Sequence, residues 1–322
     1  MYLAHFKLST HPFQLTPDPR FLQLAEAHRH ALSLLFQGVL MRKGFMVLTG
    51  PVGTGKTTLL HAIMKMLNHE SVSKEPLSTA FLVNPTLTRE EFLEFILDEF
   101  EVPCSSTSKP RRLAALQQML IDTQRRGSTS VLVIDEAHLL TPELLEEIRL
   151  LGNTDSYREK MLQVVLSAQP ELHAVLHGRE AQALRQRIAG WCELHPLTLL
   201  EAQAYISERL HVAGLQGTGP FPPVTVEKIF RHSNGVPRLI NLICDECLVL
   251  GAMKGRSQIG VDLVDEALAV MGWDVQSSAR TKETFSGWVG PAQPAQETVE
   301  FQSCVDLLIQ SMKQRRPAGR IG

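Results

Sequence analysis

The chain has 322 residues, 44% of them hydrophobic and 20% charged, which is enough for one large or two moderate domains with a real core. Its formal net charge of -2 argues against a general electrostatic attraction to nucleic acid, although a small net charge does not exclude a local basic surface. No stretch reaches the length of a membrane span, the N-terminus lacks a signal-peptide pattern, and five scattered cysteines do not suggest a disulfide framework, so we expect a cytoplasmic protein.

The first predicted strand leads into a phosphate-binding loop. Residues 45–48 form a short apolar run typical of a buried strand, and a helix is expected to begin at Lys56. Between them, Gly50–Thr57 has the sequence Gly-Pro-Val-Gly-Thr-Gly-Lys-Thr, which satisfies the pattern G-x-x-x-x-G-K-S/T at every fixed position. Glycines in this motif let backbone N–H groups converge on a phosphate, and the helix N-terminus adds a positive dipole end. The loop therefore predicts nucleotide binding.

The same motif predicts individual ligands of ATP and Mg²⁺. Lys56 is expected to reach the β- and γ-phosphates, and the Thr57 hydroxyl is expected to ligate Mg²⁺. The predicted nucleotide-binding residues of this region are Gly50, Pro51, Val52, Gly53, Thr54, Gly55, Lys56, Thr57 and Thr58.

After the loop, apolar segments alternate with amphipathic helical segments. This alternation is typical of an α/β fold, in which helices cover both faces of a parallel sheet. Two helix starts carry capping signals: Thr88, with Glu91 three positions on, and Thr141, which precedes Pro142. The predicted strands are residues 45–48, 79–83, 130–134, 161–166 and 192–195.

The strand pattern stops at Leu199, and the segments that follow are helical, which predicts a second, all-helical domain. From about Val275 the sequence is rich in Ser, Thr, Gln, Gly and Pro, which predicts a flexible linker before a short tail helix at Glu297–Met312. The expected organisation is an N-terminal segment with a helix leading into the core (1–44), the α/β core (45–199), the helical domain (200–273), and the linker with its tail helix (274–322).

The third predicted strand ends in two adjacent carboxylates, Asp135 and Glu136. Ligands in α/β sheets bind at the carboxyl ends of the strands. Asp135 is expected to hold Mg²⁺, directly or through water, and Glu136 is expected to orient or deprotonate the attacking water. Combined with the phosphate loop, the pair indicates hydrolysis of a nucleoside triphosphate and not binding alone.

Four other polar residues are considered as parts of the site, although the sequence alone does not single out two of them, Arg185 and Arg187. Gln169, after the fourth strand, is either a sensor between the carboxylates and the γ-phosphate or a turn residue before proline. Arg185 and Arg187 precede the fifth strand, and arginines on an exposed helix end are usually solvated. Arg238 opens a helix of the second domain, and its guanidinium could close onto phosphate if that domain folds over the nucleotide.

Five segments together resemble AAA+ ATPases of the ExeA/GspA type, which are akin to the transposition ATPases TniB, TnsC and MuB: GPVGTGKT, VLVIDEAH, SAQPEL, LRQRI and NGVPRLIN. The resemblance covers roughly residues 1–271 and implies a five-stranded parallel core with a C-terminal helical lid. It implies that Gln169 is sensor 1 and Arg238 sensor 2. It also implies that Arg187, with Arg185 as second choice, is an arginine finger that reaches the γ-phosphate held by a neighbouring subunit. Such a finger requires a ring or filament of copies of the chain.

The resemblance leaves two settings open for the ATPase. It could be a switch or motor that assembles in the ATP state, with double-stranded DNA as a candidate partner and a transposase-like protein as its client. It could instead be an assembly ATPase of a secretion or surface-structure apparatus. Secretion proteins of this type continue into a membrane span, which the residues after 271 do not resemble, so we expect no span. The segment up to His28 either helps to enclose adenine or braces the sheet.

Overall fold

A computed structural model describes residues 2–15, 21, 25–68, 76–153 and 159–273. Five parallel strands form one sheet in the order β2-β3-β4-β1-β5. The strands are β1 (Phe45–Thr49), β2 (Ser78–Leu82), β3 (Ser130–Ile134), β4 (Leu162–Ala168) and β5 (Ile188–Glu193). The predicted parallel α/β core is confirmed, and the three central strands β3, β4 and β1 are buried along their whole length.

The fifth strand was predicted at residues 192–195 and lies instead at Ile188–Glu193. It is an edge strand, paired only with β1 among the described residues, and most of its side chains are partly or fully exposed, so it lacks a continuous apolar run. Gly190 interrupts the pattern further. A Cβ at this position would lie 2.4 Å from Met46 Cε, so the glycine leaves room for the Met46 side chain of the neighbouring strand and does not mark a turn.

Helices cover both faces of the sheet and form the C-terminal part. Thr88 caps its helix reciprocally with Glu91, and Thr141 accepts a hydrogen bond from the Leu144 N–H, as the capping signals predicted. The described helices are α1 (Tyr2–His5), α2 (Glu26–Leu40), α3 (Lys56–Leu67), α4 (Arg89–Glu99), α5 (Lys109–Arg125), α6 (Pro142–Leu151), α7 (Leu172–His177), α8 (Gln182–Arg185), α9 (Leu199–Val212), α10 (Pro223–Ser233), α11 (Pro237–Met253), α12 (Val261–Val270) and a 3-10 helix (Ala137–Leu139).

The two faces of the sheet have separate apolar clusters. On one face α2 and α3 pack against side chains such as Met46 and Val133, and on the other α4, α5 and α6 pack against side chains such as Val47 and Leu132. Successive strand residues point to opposite faces, so each central strand contributes to both clusters. This packing fixes the carboxyl ends of β3, β4 and β1 side by side.

Helices α9 to α12 form a third apolar cluster, which we call the lid. Residues from the start of the chain belong to it: Tyr2, Phe6, Leu8, Phe13 and Phe21 are buried among lid side chains, and no buried residue of this cluster lies on a strand. The described residues before α2 therefore pack on the lid, whereas α2 itself packs on the sheet. The chain leaves the lid, enters the core through α2, and returns to the lid at α9.

The predicted linker with the tail helix Glu297–Met312 lies outside the described residues. Within the described ranges, no helix combines the length and the apolar character that crossing a membrane requires.

Candidate active site

The phosphate loop connects β1 to α3 in the predicted way. Gly53 and Gly55 have φ values of 80° and 96°, in the left-handed region that favours glycine, and α3 begins at Lys56. Thr54 is buried, and its Oγ1 donates to the carbonyl of Pro51 across 2.8 Å. The loop thus has the backbone turn and the helix N-terminus that bind phosphate in this motif.

Lys56 is folded back onto its own loop. Its Nζ donates to the Gly50 carbonyl across 2.8 Å and to the Pro51 carbonyl across 3.0 Å. Desolvation lowers the pKa of Lys56, and the nearby carboxylates of Glu136 and Asp135 act in the opposite direction. An anionic phosphate would favour the charged amine, so a bound nucleotide would compete with the two carbonyls for this side chain.

His28 of α2 supports the loop from below, a contact that no sequence pattern indicated. Its ring is buried, with 6% of its surface exposed, and Nε2 lies 2.8 Å from the carbonyl oxygen of Thr54. Because a carbonyl only accepts, Nε2 carries the proton of the neutral ring. Burial is the main cause that lowers the pKa of His28, which keeps the ring neutral.

Asp135 is the meeting point of three elements. It is 2% exposed, and its Oδ2 accepts a hydrogen bond of 2.6 Å from Thr57 Oγ1 at the start of α3. Its Oδ1 accepts from Ser167 Oγ on β4 across 2.7 Å and from the Glu136 N–H across 3.0 Å. A carboxylate and a hydroxyl in contact, next to a phosphate site, are the oxygen ligands that Mg²⁺ takes together with substrate phosphates. The residues therefore fit Mg²⁺.

Glu136 stands in the left-handed region, with φ 51° and ψ 35°, which is uncommon for a residue with a side chain. Its side chain is 40% exposed and lines the cavity beside the loop. Gln169, directly after β4, donates from Nε2 to Glu136 Oε2 across 3.4 Å. The two adjacent strands β3 and β4 thus bring the predicted carboxylate and the predicted sensor together.

Arg238 lies where the lid meets the loop. Its backbone N–H donates to the Gly53 carbonyl across 3.2 Å, and a Cβ on Gly53 would lie 2.9 Å from the Arg238 Cβ. The Arg238 side chain is exposed, lines the cavity beside the loop, and makes no hydrogen bond or ion pair with any described residue. Its guanidinium therefore stands beside the phosphate loop without a partner among the residues that the structure describes.

A cavity of about 350 Å³ opens between the loop, the N-terminal segment and the lid. This volume falls within the range of small-molecule sites. Its far wall is built around Arg209 of α9, which is buried and donates to the carbonyls of Pro12 and Gln14 and to the Tyr205 hydroxyl. The Arg209 guanidinium also lies over the Phe21 ring, 4.9 Å from its centroid. These contacts tie the N-terminal segment to the lid and close one side of the cavity.

The two candidate arginine fingers do not line this cavity. Arg185 ends α8 and is exposed, without a partner among the described residues. Arg187 was expected on an exposed helix end, but it lies beyond α8, immediately before β5, and is half-buried. Its Nη1 donates to the Arg149 carbonyl across 3.4 Å. Neither side chain contacts the phosphate loop of its own subunit.

Comparisons with known proteins agree with this geometry. A family described as "AAA domain" matches residues 39–176. The chain is 39% identical to general secretion pathway protein A of Aeromonas hydrophila over 261 residues. The aligned region is 80% of this chain and 46% of that protein. The chain spans less than half the length of the curated relatives it matches.

Solved structures with the same fold include Cdc6p from Pyrobaculum aerophilum, with a TM-score of 0.61 at 20% identity over 83% of this chain and 70% of that one. The RuvB Holliday junction branch migration motor of Thermotoga maritima has a TM-score of 0.52 at 20% identity, over 78% of this chain and 70% of that one. At these identities the likeness is one of fold. With the parallel sheet, the phosphate loop and the helical lid, the matches show that the chain has the AAA+ P-loop fold, that its residues 39–176 match the AAA domain family, and that it is similar in sequence to general secretion pathway protein A.

Proposed function

We propose that the chain is an Mg²⁺-dependent ATPase that works as an oligomeric switch, with nucleotide bound at the contact between copies. The observation that carries the proposal is the position of Asp135, which accepts from Thr57 of the phosphate loop and from Ser167 of the neighbouring strand. Thr57 and Glu136 line the cavity beside the phosphate loop, and the contact of Asp135 with Thr57 supports a role for this carboxylate in metal binding there.

Each predicted residue has a task in this proposal. Lys56 exchanges the two loop carbonyls for phosphate oxygens, while Thr57 and Asp135 hold Mg²⁺. The metal would supply charge neutralisation on the phosphates. Glu136 orients the attacking water and accepts its proton, and Gln169 holds the Glu136 carboxylate. Arg238 approaches the phosphates from the lid, which links lid position to the presence of nucleotide.

The oligomer enters because Arg209 and Arg238 are the arginines that line the cavity among the described residues, and Arg209 is already held by the carbonyls of Pro12 and Gln14. Arg187 or Arg185 of a neighbouring copy would supply the positive charge that stabilises the transferring phosphoryl group. Both lie away from their own cavity, which fits action on a second copy. In this arrangement a lone subunit hydrolyses ATP poorly.

Hydrolysis and binding can be separated with two substitutions. Lys56→Ala is expected to abolish tight ATP binding, whereas Glu136→Gln is expected to keep ATP binding, trap the ATP-bound assembly, and lower hydrolysis by about 10²-fold or more. Lys65→Ala, an exposed lysine of the same helix α3, is the matched control and should behave like the unmodified chain. The measurements are phosphate release, equilibrium ATP binding and molecular mass in solution, with and without Mg²⁺. Equal hydrolysis by Glu136→Gln and the unmodified chain would contradict the proposal.

The partner is a separate matter, and the sequence relative favours a secretion setting. General secretion pathway protein A shares 39% identity with 80% of this chain, which makes assembly of a secretion or surface-structure apparatus the second candidate function. A DNA-bound switch acting on a transposase-like protein is the competing setting. Phosphate release measured with and without duplex DNA, at several salt concentrations, distinguishes them: salt-sensitive stimulation supports DNA, and no effect supports the secretion setting.

A further inference from the structure

His138 lies close to the adjacent carboxylates Asp135 and Glu136, and no role has been assigned to it above. It follows Glu136 by two residues in the 3-10 helix, and its side chain is 13% exposed. Its Nε2 lies 3.0 Å from Gln169 Nε2, and its Nδ1 lies 3.5 Å from Glu136 Oε2. Since Gln169 Nε2 is also 3.4 Å from Glu136 Oε2, the three side chains close a triangle.

The hydrogen-bonding capacities of the three groups fix where the protons are. A carboxylate only accepts, so the Gln169 atom that faces Glu136 must be the amide nitrogen and not the amide oxygen. The same amide nitrogen faces His138 Nε2, so that ring nitrogen accepts and carries no proton. The proton of the neutral ring is then on Nδ1, which lies 3.5 Å from Glu136 Oε2. Buried Nδ1 has no hydrogen bond to any described residue, so a small shift toward this carboxylate would give it an acceptor.

This arrangement treats the two oxygens of Glu136 differently. Oε2 faces both Gln169 and His138, whereas Oε1 has no hydrogen bond with any residue that the structure describes. Both N–H groups of the Gln169 amide are directed, one to the carboxylate and one to the ring. Without the His138 Nε2 acceptor, the Gln169 amide would be free to rotate. The Glu136 carboxylate would then lose the hydrogen bond that fixes its orientation.

We propose that His138 is a positioning residue for hydrolysis: it holds the Gln169 amide in the orientation that engages Glu136 Oε2, which leaves Oε1 for the attacking water. The proposal rests on the ATPase function above and adds a residue to it. His138 acts through Gln169 and Glu136 and touches neither nucleotide nor metal. Its effect is therefore on the rate of the chemical step and not on the affinity for ATP.

The test is a set of variants at His138 and Gln169. His138→Leu, which removes both ring nitrogens, is expected to lower kcat by about 3- to 10-fold, the range that one hydrogen bond accounts for, with KM unchanged within about 2-fold. His138→Gln offers an amide oxygen near the Nε2 position and is expected to restore most of that loss. In a Gln169→Leu background, His138→Leu is expected to change kcat little further, because the two residues act as one unit.

A second readout does not depend on activity. The ¹⁵N shifts of the His138 ring, assigned by comparison with His138→Gln, are expected to show the proton on Nδ1, and Gln169→Leu is expected to change that signature. A proton on Nε2 in the unmodified chain overturns the proposal. So does a His138→Leu variant that hydrolyses normally, or whose loss multiplies with that of Gln169→Leu. If the unmodified chain hydrolyses no faster than Glu136→Gln, the ATPase proposal itself fails, while the ring signature still tests the geometry.

Discussion

Thr57 and Asp135 are 78 residues apart in the chain and are joined by a hydrogen bond of 2.6 Å between Thr57 Oγ1 and Asp135 Oδ2. The bond connects the start of α3 to the end of β3, so the two predicted metal ligands are in contact. Because Ser167 and the Glu136 N–H also donate to Asp135, its carboxylate keeps its orientation if Thr57 is lost.

Thr57→Val is therefore expected to act on metal-dependent binding. The substitution keeps the shape of the side chain and removes the oxygen that would ligate Mg²⁺, so ATP binding measured in Mg²⁺ should weaken by about 10-fold, and binding in EDTA should change much less. Titration calorimetry under both conditions measures this. Thr57→Ser keeps the hydroxyl and is the control. An equal loss in both conditions would mean that Thr57 supports the loop and not the metal.

His28 predicts a specific dependence of stability on pH. The pKa of the buried ring is lowered, so below its ordinary value of 6.5 the unfolded chain takes up a proton that the folded chain does not. The contribution of His28 to the free energy of unfolding is complete above about pH 6.5 and is lost as the pH falls. The thermal unfolding temperature of the unmodified chain should therefore decrease as the pH is lowered from 7.5 to 5.5.

His28→Gln should reduce that acid dependence, because a glutamine amide can donate to the Thr54 carbonyl and does not titrate. The dependence should not vanish, since desolvation also lowers the pKa of His173 and of His232. His30→Gln, at an exposed histidine of the same helix, is the matched control. If the unfolding temperatures of His28→Gln and His30→Gln depend on pH in the same way, His28 does not cause the acid dependence.

The contact between lid and core depends on Gly235. Its φ is 73°, its carbonyl accepts from the Leu197 N–H across 2.9 Å, and a Cβ on it would lie 2.0 Å from the Leu197 carbonyl oxygen. Gly235→Ala must therefore displace the backbone just before α11, the helix whose first turn touches Gly53. We expect a loss of roughly 2–4 kcal/mol in the free energy of unfolding, together with weaker ATP binding.

Gly255→Ala separates backbone strain from the clash. Gly255 also has a positive φ, 65°, but nothing lies within 4 Å of its added Cβ. Its substitution should cost about 1 kcal/mol and leave ATP affinity unchanged. Urea unfolding and ATP titration of the two variants measure the difference. Equal losses in the free energy of unfolding would show that the Leu197 backbone moves aside at no energetic cost.

The parts of the fold that sequence could predict are those with a local signal. The central strands are continuous apolar runs, the phosphate loop is a fixed spacing, and the Thr88 capping box lies within four residues. The fifth strand was displaced in the prediction because an exposed edge strand with Gly190 in its middle has no such run. Signals of this kind decide secondary structure without reference to the rest of the chain.

The supporting contacts of the site have no local signal. His28 reaches Thr54 across 26 residues and His138 reaches Gln169 across 31, and in each case helix and strand packing creates the contact. The same holds for the N-terminal segment, whose apolar residues suit a sheet or a lid equally well. Only the tertiary structure shows that Arg209 of α9 holds the carbonyls of Pro12 and Gln14.

Arg187 provides the sharpest test of assembly. Its guanidinium contacts the Arg149 carbonyl and lies outside its own nucleotide cavity, so Arg187→Ala should leave ATP affinity within about 2-fold while it lowers hydrolysis by about 10²-fold or more. Mixing this variant with Lys56→Ala should restore part of the activity, because the second variant keeps the arginine and the first keeps an intact phosphate loop. If activity recovers when Lys56→Ala is mixed with Arg185→Ala, and does not recover when it is mixed with Arg187→Ala, the finger is Arg185. If Arg185→Ala and Arg187→Ala each hydrolyse ATP normally, neither residue is an arginine finger.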